Sequence, residues 1–99
     1  MDNEKITYFE FYKNYNSNLA IHCKTKKEYN KVLMMEAEIN NYNNIESYIN
    51  QRDTQWDKNK ENTVRYNNRS YGNIDITNTN VKVYEFENVI YKEDEIIDF

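Results

Sequence analysis

Asn18-Leu19-Ala20-Ile21-His22-Cys23-Lys24-Thr25, continuing Lys26-Lys27-Glu28-Tyr29-Asn30-Lys31-Val32-Leu33, holds two kinds of local order back to back. Leu19, Ile21 and Cys23 alternate with Ala20 and His22, the period of two that marks a strand. Thr25-Lys-Lys-Glu28 has capping-box spacing. The Thr25 hydroxyl can accept from the N–H of Glu28, and the Glu28 carboxylate can reach back to the N–H of Thr25. The spacing therefore predicts a helix from Lys26. Tyr29, Val32, Leu33 and Ala37 lay one apolar stripe along it, widened by Met34, Met35 and Ile39. The helix is expected to fade at Asn40-Asn41, where short amides compete for backbone hydrogen bonds.

Upstream, Thr7 and Glu10 form a second capping box, with Ile6 and Phe11 at the staple positions. Tyr8, Phe11, Tyr12 and Tyr15 follow at helical spacing, predicting a short helix over about Tyr8–Tyr15. Downstream, Asn44 is an N-cap candidate for a helix over about Ile45–Gln51, on the spacing of Ile45, Tyr48 and Ile49. Arg52–Asn62 is polar apart from Trp56 and reads as an irregular loop pinned by that ring.

Three strands are expected after this loop. Thr63–Asn67 puts Val64 and Tyr66 on one face, and Asn67-Asn68-Arg69 makes a tight turn through the tolerance of Asn for positive φ. Tyr71–Ile76 turns Ile74 and Ile76 inward and Asn73 and Asp75 outward. Thr77–Asn80 is a turn. Val81–Phe86 is a strand of mixed phase, since Tyr84 and Phe86 share a face with Lys82. Val89-Ile90 extends or caps the sheet. Lys92-Glu-Asp-Glu-Ile-Ile-Asp-Phe99 is acidic with apolar punctuation and reads as a frayed tail or a docking segment. The layout predicts an α+β two-layer sandwich, with helices packed on one face of a mainly antiparallel sheet of about four strands. Arg65, Asn73 and Asp75, with Lys82 and Tyr84, are expected on the wetter opposite face.

Ninety-nine residues suit one small domain, and ten Tyr and four Phe supply much of its burial. There is no Pro and one Gly, so turns fall to Asn and Asp. A lone Cys makes no intramolecular disulfide, no apolar run spans a membrane, and the N-terminus has no signal-peptide pattern, all of which point to the cytoplasm. The net charge is −4. Residues 1–60 hold nine basic and nine acidic residues, and residues 61–99 hold four and eight. An acidic second half repels nucleic-acid phosphates and suits a basic protein surface.

No catalytic or metal-ligand motif stands out, and no cofactor is expected. His22 and Cys23 are adjacent in a strand and point to opposite faces, which argues against a dyad or a shared metal. Trp56, Tyr66 and Tyr71 could form a base-stacking platform, but the basic groove that accompanies one is missing, and core packing is favoured. Lys24, Lys26 and Lys27 sit at a helix start, where anions are attracted, although such a cluster is more often a solvated face. Asp75, Glu85, Glu87, Glu93, Asp94 and Glu95 could mimic phosphates toward a nucleic-acid-binding protein.

The order Asn18-Leu-Ala-Ile-His-Cys-Lys-Thr25, Trp56, Lys60-Glu-Asn-Thr63, Tyr66, Ser70-Tyr-Gly-Asn-Ile-Asp75 and Lys82-Val-Tyr-Glu-Phe86 resembles a set of small phage and prophage proteins of low-GC Gram-positive bacteria. The resemblance spans residues 7–90. It departs between Met34 and Thr54, where those proteins tend to carry a turn with Gly and Trp. It implies an inhibitor of host defence, anti-CRISPR proteins included. The leading expectation is an anti-CRISPR protein, not an enzyme, that acts in the host cytoplasm by stoichiometric binding, its acidic sheet and C-terminal segment covering a basic nucleic-acid channel of a Cas effector or subunit. Direct nucleic-acid or membrane binding is not expected, and homodimerisation stays open. The alternatives are a sponge for a nucleotide signal of a defence system, or a structural or regulatory phage protein.

Overall fold

The computed structural model describes residues 4–14, 17–75 and 77–91. Its element order is β1 (Ile6–Thr7), α1 (Tyr8–Lys13), β2 (Leu19–Cys23), α2 (Lys26–Ile39), α3 (Ile45–Asn50), α4 (Trp56–Asn59), β3 (Thr63–Tyr66), β4 (Tyr71–Asn73), β5 (Lys82–Glu85) and β6 (Val89–Ile90). Short 3-10 turns cover Asp53–Gln55, Lys60–Asn62 and Phe86–Asn88. The fold is α+β, as the layout predicts. Helices line one face of a four-stranded mixed sheet in the order β4-β3-β2-β5, and a separate parallel pair joins β1 to β6.

The central unit forms as its residues require. The Thr25 hydroxyl accepts from the Glu28 N–H at 3.1 Å. The Glu28 carboxylate reaches one residue further than the expected box, to the Lys24 N–H at 2.9 Å. At the other end Asn41 takes φ 59. The Tyr42 N–H bonds the Ala37 carbonyl and the Asn41 N–H that of Glu38, a left-handed termination with Asn where Gly is usual. Thr7 and Asn44 cap α1 and α3, accepting from the N–H groups of Glu10 and Ser47.

Several expectations are corrected. The first helix stops at Lys13, and Tyr15 lies outside the described residues. Arg52–Asn62 is a run of helical turns, not an irregular loop. Trp56 is nevertheless pinned, its indole N–H donating to the Cys23 carbonyl at 3.1 Å. In the turn after β3 it is Arg69, at φ 70, that takes the left-handed conformation. Asn68 instead accepts from the Ser70 N–H and hydroxyl. Strands β3, β4 and β5 do not run as a meander: β5 crosses over and pairs in parallel with β2, with Ala20 opposite Val83 and His22 opposite Glu85. A meander would leave one whole side of β2 unpaired, and β5 fills it. Val89-Ile90 pairs with Ile6-Thr7 instead of extending the main sheet.

Leu19, Ile21 and Cys23 of β2 face the core as expected, but the phase of β3 is inverted and Tyr84, expected on the wetter face, is buried. Tyr71, Arg65, Ile21 and Tyr84 stand opposite one another across β4, β3, β2 and β5, and so share a face. That face is the one under the helices: Ile21 and Tyr84 join Tyr29, Val32, Leu33 and Phe11 in the core. Arg65, expected outside, is 2 % exposed. Val64 and Ala20 are buried on the opposite side, where they line a depression with Val83 of β5 and with Ile74, Asp75, Asn78 and Val81 from the segment between β4 and β5. The segment between β4 and β5 thus covers part of the face expected to be wet. Ile76 lies outside the described residues.

Arg65 can be buried because α2 supplies its partner. Glu36 is fully buried in the apolar stripe of α2. Its two carboxylate oxygens accept from Arg65 Nε at 3.1 Å and Nη2 at 2.7 Å. Arg65 Nη1 also donates to the Tyr29 hydroxyl at 3.0 Å and to Gln55 Oε1 at 2.9 Å. The Tyr29 hydroxyl donates to Gln55, and the Tyr48 hydroxyl to Glu36. The Glu36 bonds beside it hold the guanidinium protonated against the cost of burial.

Removing one partner leaves a buried charge unmatched. Glu36→Ala and Arg65→Met are each expected to lower the unfolding free energy by about 3–5 kcal/mol. Urea titration followed by Trp56 fluorescence measures this, and losses below about 1 kcal/mol would contradict it.

Burial pushes the Tyr29 and Tyr48 hydroxyls up to about 12 from 10.0. Their protons are held more tightly in the folded chain than in the unfolded one. Stability is therefore intact below pH 10 and falls as pH rises from 10 toward 12. Circular dichroism should show alkaline unfolding in that window, and a flat signal through it would count against the burial argument.

Candidate functional site

The acidic residues singled out from the sequence meet different fates. Asp75 is exposed and closes a local turn, its Oδ1 accepting from the Thr77 hydroxyl at 2.6 Å and the Thr77 N–H at 3.0 Å. Those two bonds, the hydroxyl first, hold its carboxyl below the usual range. It is anionic, with Oδ2 outside these bonds. Glu87 is exposed in the 3-10 turn after β5. Glu85 is half-buried and already engaged. His22 Nδ1 lies 3.1 Å from its Oε1, and Lys24 Nζ lies 3.4 Å from the same oxygen. Its charge is balanced within the fold. Glu93, Asp94 and Glu95 lie outside the described residues.

The charge balance locates the excess. Setting aside Asp2, Lys92, Glu93, Asp94, Glu95 and Asp98 from the thirteen basic and seventeen acidic residues leaves twelve of each. Residues 4–91 are thus formally neutral, and the whole net charge of −4 resides in residues 1–3 and 92–99. Asp75 and Glu85 rise from the same side of the sheet, since Asp75 borders the depression over Val64 and Val83, and Glu85 pairs with His22 there. Glu85 is offset by its partners, so this face alone makes no strong negative field.

The other candidates are absorbed by the fold. Tyr71 and Trp56 pack against the helix-side core. Tyr66 sits on the opposite face over Gly72, where an added Cβ would come within 3.2 Å of its ring. The three aromatics form no common platform. Lys26 pairs with Asp57 at 3.4 Å and Lys24 with Glu85. The start of α2 is closed by its own Thr25 and Glu28 rather than left for an anion. Cys23 is buried, and burial raises its thiol far above the ordinary value, so thiolate chemistry is suppressed. Among the described residues no group of three metal-capable side chains comes together, and no helix is long and apolar enough to cross a membrane.

Two surface depressions carry polar chemistry. One, of about 230 Å³, is lined by Asn18, Tyr66, Asn67, Asn68, Ser70 and Val81. The Asn67 amide is committed there to the carbonyls of Asn14 and Ser17, holding the loop before β2. The other, of about 520 Å³, lies between Tyr84 and the charged residues Glu4, Lys5, Glu10 and Lys13. The contact between His22 and Glu85 joins residues 63 positions apart. No local signal announces it, because it depends on the parallel pairing of β2 with β5.

No protein-family model matches the chain, no curated protein matches its sequence, and no solved structure matches its fold.

Proposed function

We propose that the protein is a phage-encoded inhibitor of bacterial defence, an anti-CRISPR protein that binds a basic nucleic-acid-binding surface of a Cas effector in the host cytoplasm. It acts by stoichiometric occupancy and performs no chemistry of its own. The resemblance to small phage proteins supplies the biological setting. The observation that carries the binding mode is charge placement: residues 4–91 balance, and the excess negative charge is concentrated outside them. Glu93, Asp94 and Glu95 are the principal contacts in this reading. Asp75 and Glu87 add exposed charge on the body. Glu85 contributes little while His22 and Lys24 hold it. Opposite charge speeds encounter and makes the complex sensitive to salt.

The depression lined by Tyr66, Asn18, Asn67, Asn68 and Ser70 favours one other reading, sequestration of a nucleotide signal. An aromatic ring beside amides can hold a base without a basic patch. Native mass spectrometry of the purified protein separates the two, since a sponge retains its ligand.

The decisive experiment is a pull-down from a host with active CRISPR defence, which should recover a Cas subunit. Replacing Glu93, Asp94 and Glu95 with Lys should weaken that capture at least about tenfold at low salt and flatten its dependence on salt. Asp75→Asn keeps the turn acceptor while deleting charge, so its stability change should stay within about 0.5 kcal/mol. Unchanged capture by the triple reversal would remove the acidic segment from the mechanism.

A further inference from the structure

His22 stands on β2 with both ring nitrogens facing oxygen. Nδ1 lies 3.1 Å and 3.3 Å from the two carboxylate oxygens of Glu85 on β5. Nε2 lies 2.7 Å from the main-chain carbonyl of Glu61, in the turn before β3. A carbonyl can only accept, and so can an ionised carboxylate. A neutral imidazole owns one N–H, whereas an imidazolium owns two and satisfies both sites. The His22 side chain is 13 % exposed, and its Nε2 contact with the Glu61 carbonyl lies at the exposed edge.

The charged neighbours are few. Lys24 Nζ approaches the Glu85 carboxylate that the ring also holds. Lys60 and Glu61 are exposed on the turn. From β3 the residue opposite His22 is the apolar Val64. From α2 the Glu28 carboxylate is occupied by the Lys24 N–H.

The turn that offers the Glu61 carbonyl is also strained. Lys60 has φ 50 and ψ −125, a conformation that a side chain with a Cβ rarely adopts. Such a conformation persists only while its surroundings hold it.

We propose that His22 is a protonation-dependent clasp on the Lys60–Asn62 turn. With the ring doubly protonated, β5 and the turn are both tied to β2. When the ring gives up a proton, the charge-assisted bond from Nδ1–H to Glu85 is kept. Nε2 then sets a lone pair against the Glu61 carbonyl, and the strained turn lets go. The clasp is therefore complete on the acid side of the ring's titration and weakens as pH rises through it.

The full chain tests this directly, because it holds a single histidine and its ring-nitrogen signals need no assignment. Ring 15N spectra and amide hydrogen exchange are recorded from about pH 5 to 8. Two ring N–H signals should give way to one as pH rises. Across the same midpoint, and after correction for intrinsic rates, protection at Glu61, Asn62 and Thr63 should fall about fivefold to tenfold, the worth of one hydrogen bond. Protection at Val32 and Leu33 in α2 should not follow it. His22→Gln cannot gain a proton and should give a flat profile in the turn. A ring that stays neutral throughout, or a turn whose protection changes equally in His22→Gln, would overturn the proposal.

Discussion

A buried carboxylate on a helix and a buried guanidinium on a strand hold this fold in one arrangement. Either charge alone, taken out of water, costs several kcal/mol, by general estimates about 3–5 kcal/mol when its partner is removed. Glu36 and Arg65 meet in a two-point fork, and the hydroxyls of Tyr29 and Tyr48 and the amide of Gln55 fill much of the remaining hydrogen-bonding capacity. The pair does more than join layers. A one-residue slip of β3 against β2 would turn Arg65 to the far side of the sheet and leave Glu36 without its cation. The alternating apolar residues of β3 do not resist such a slip, because Val64 and Tyr66 would be acceptable under the helices. The ion pair removes that freedom.

The same pair marks where the sequence could be read and where it could not. Caps, helix starts and the strand at Leu19–Cys23 are local, and side-chain chemistry within four residues determines them. The orientation of β3 is not local. Alternation assigns Val64 and Tyr66 to the core and Arg65 to water, and only a partner 29 residues away reverses that choice. One hint is present in the sequence. Glu36 stands seven residues after Tyr29, within the apolar stripe, and a carboxylate there needs a buried cation. The crossover of β5 has no comparable hint, since it follows from an unfilled strand edge rather than from any residue in β5. The candidate contacts were legible as charge but not as availability. Glu85 proves to be engaged by a histidine and a lysine, while Asp75 and Glu87 are exposed.

These features give the described body a particular electrostatic character. Its acids and bases cancel, and several are consumed in pairs between elements: Glu36 with Arg65, Glu85 with His22 and Lys24, Asp57 with Lys26 and Glu4 with Lys82. A surface of that kind contributes little long-range attraction of its own. In the proposed inhibitor, recognition by charge would fall to residues 92–99, whereas the proposed sponge would use the depression lined by Asn18, Tyr66, Asn67, Asn68 and Ser70. The two proposed modes of action divide along that line.

The parallel pairing of β2 with β5 also orders events on the ribosome. Leu19–Cys23 is made early, yet one of its two flanks stays bare until Lys82–Glu85 has been synthesised. Through that interval the nascent chain carries an open β edge beside a core that is still incomplete, the condition under which strands pair with the wrong neighbour. The late arrival of β5 is thus a step at which production of this protein is exposed to misassembly.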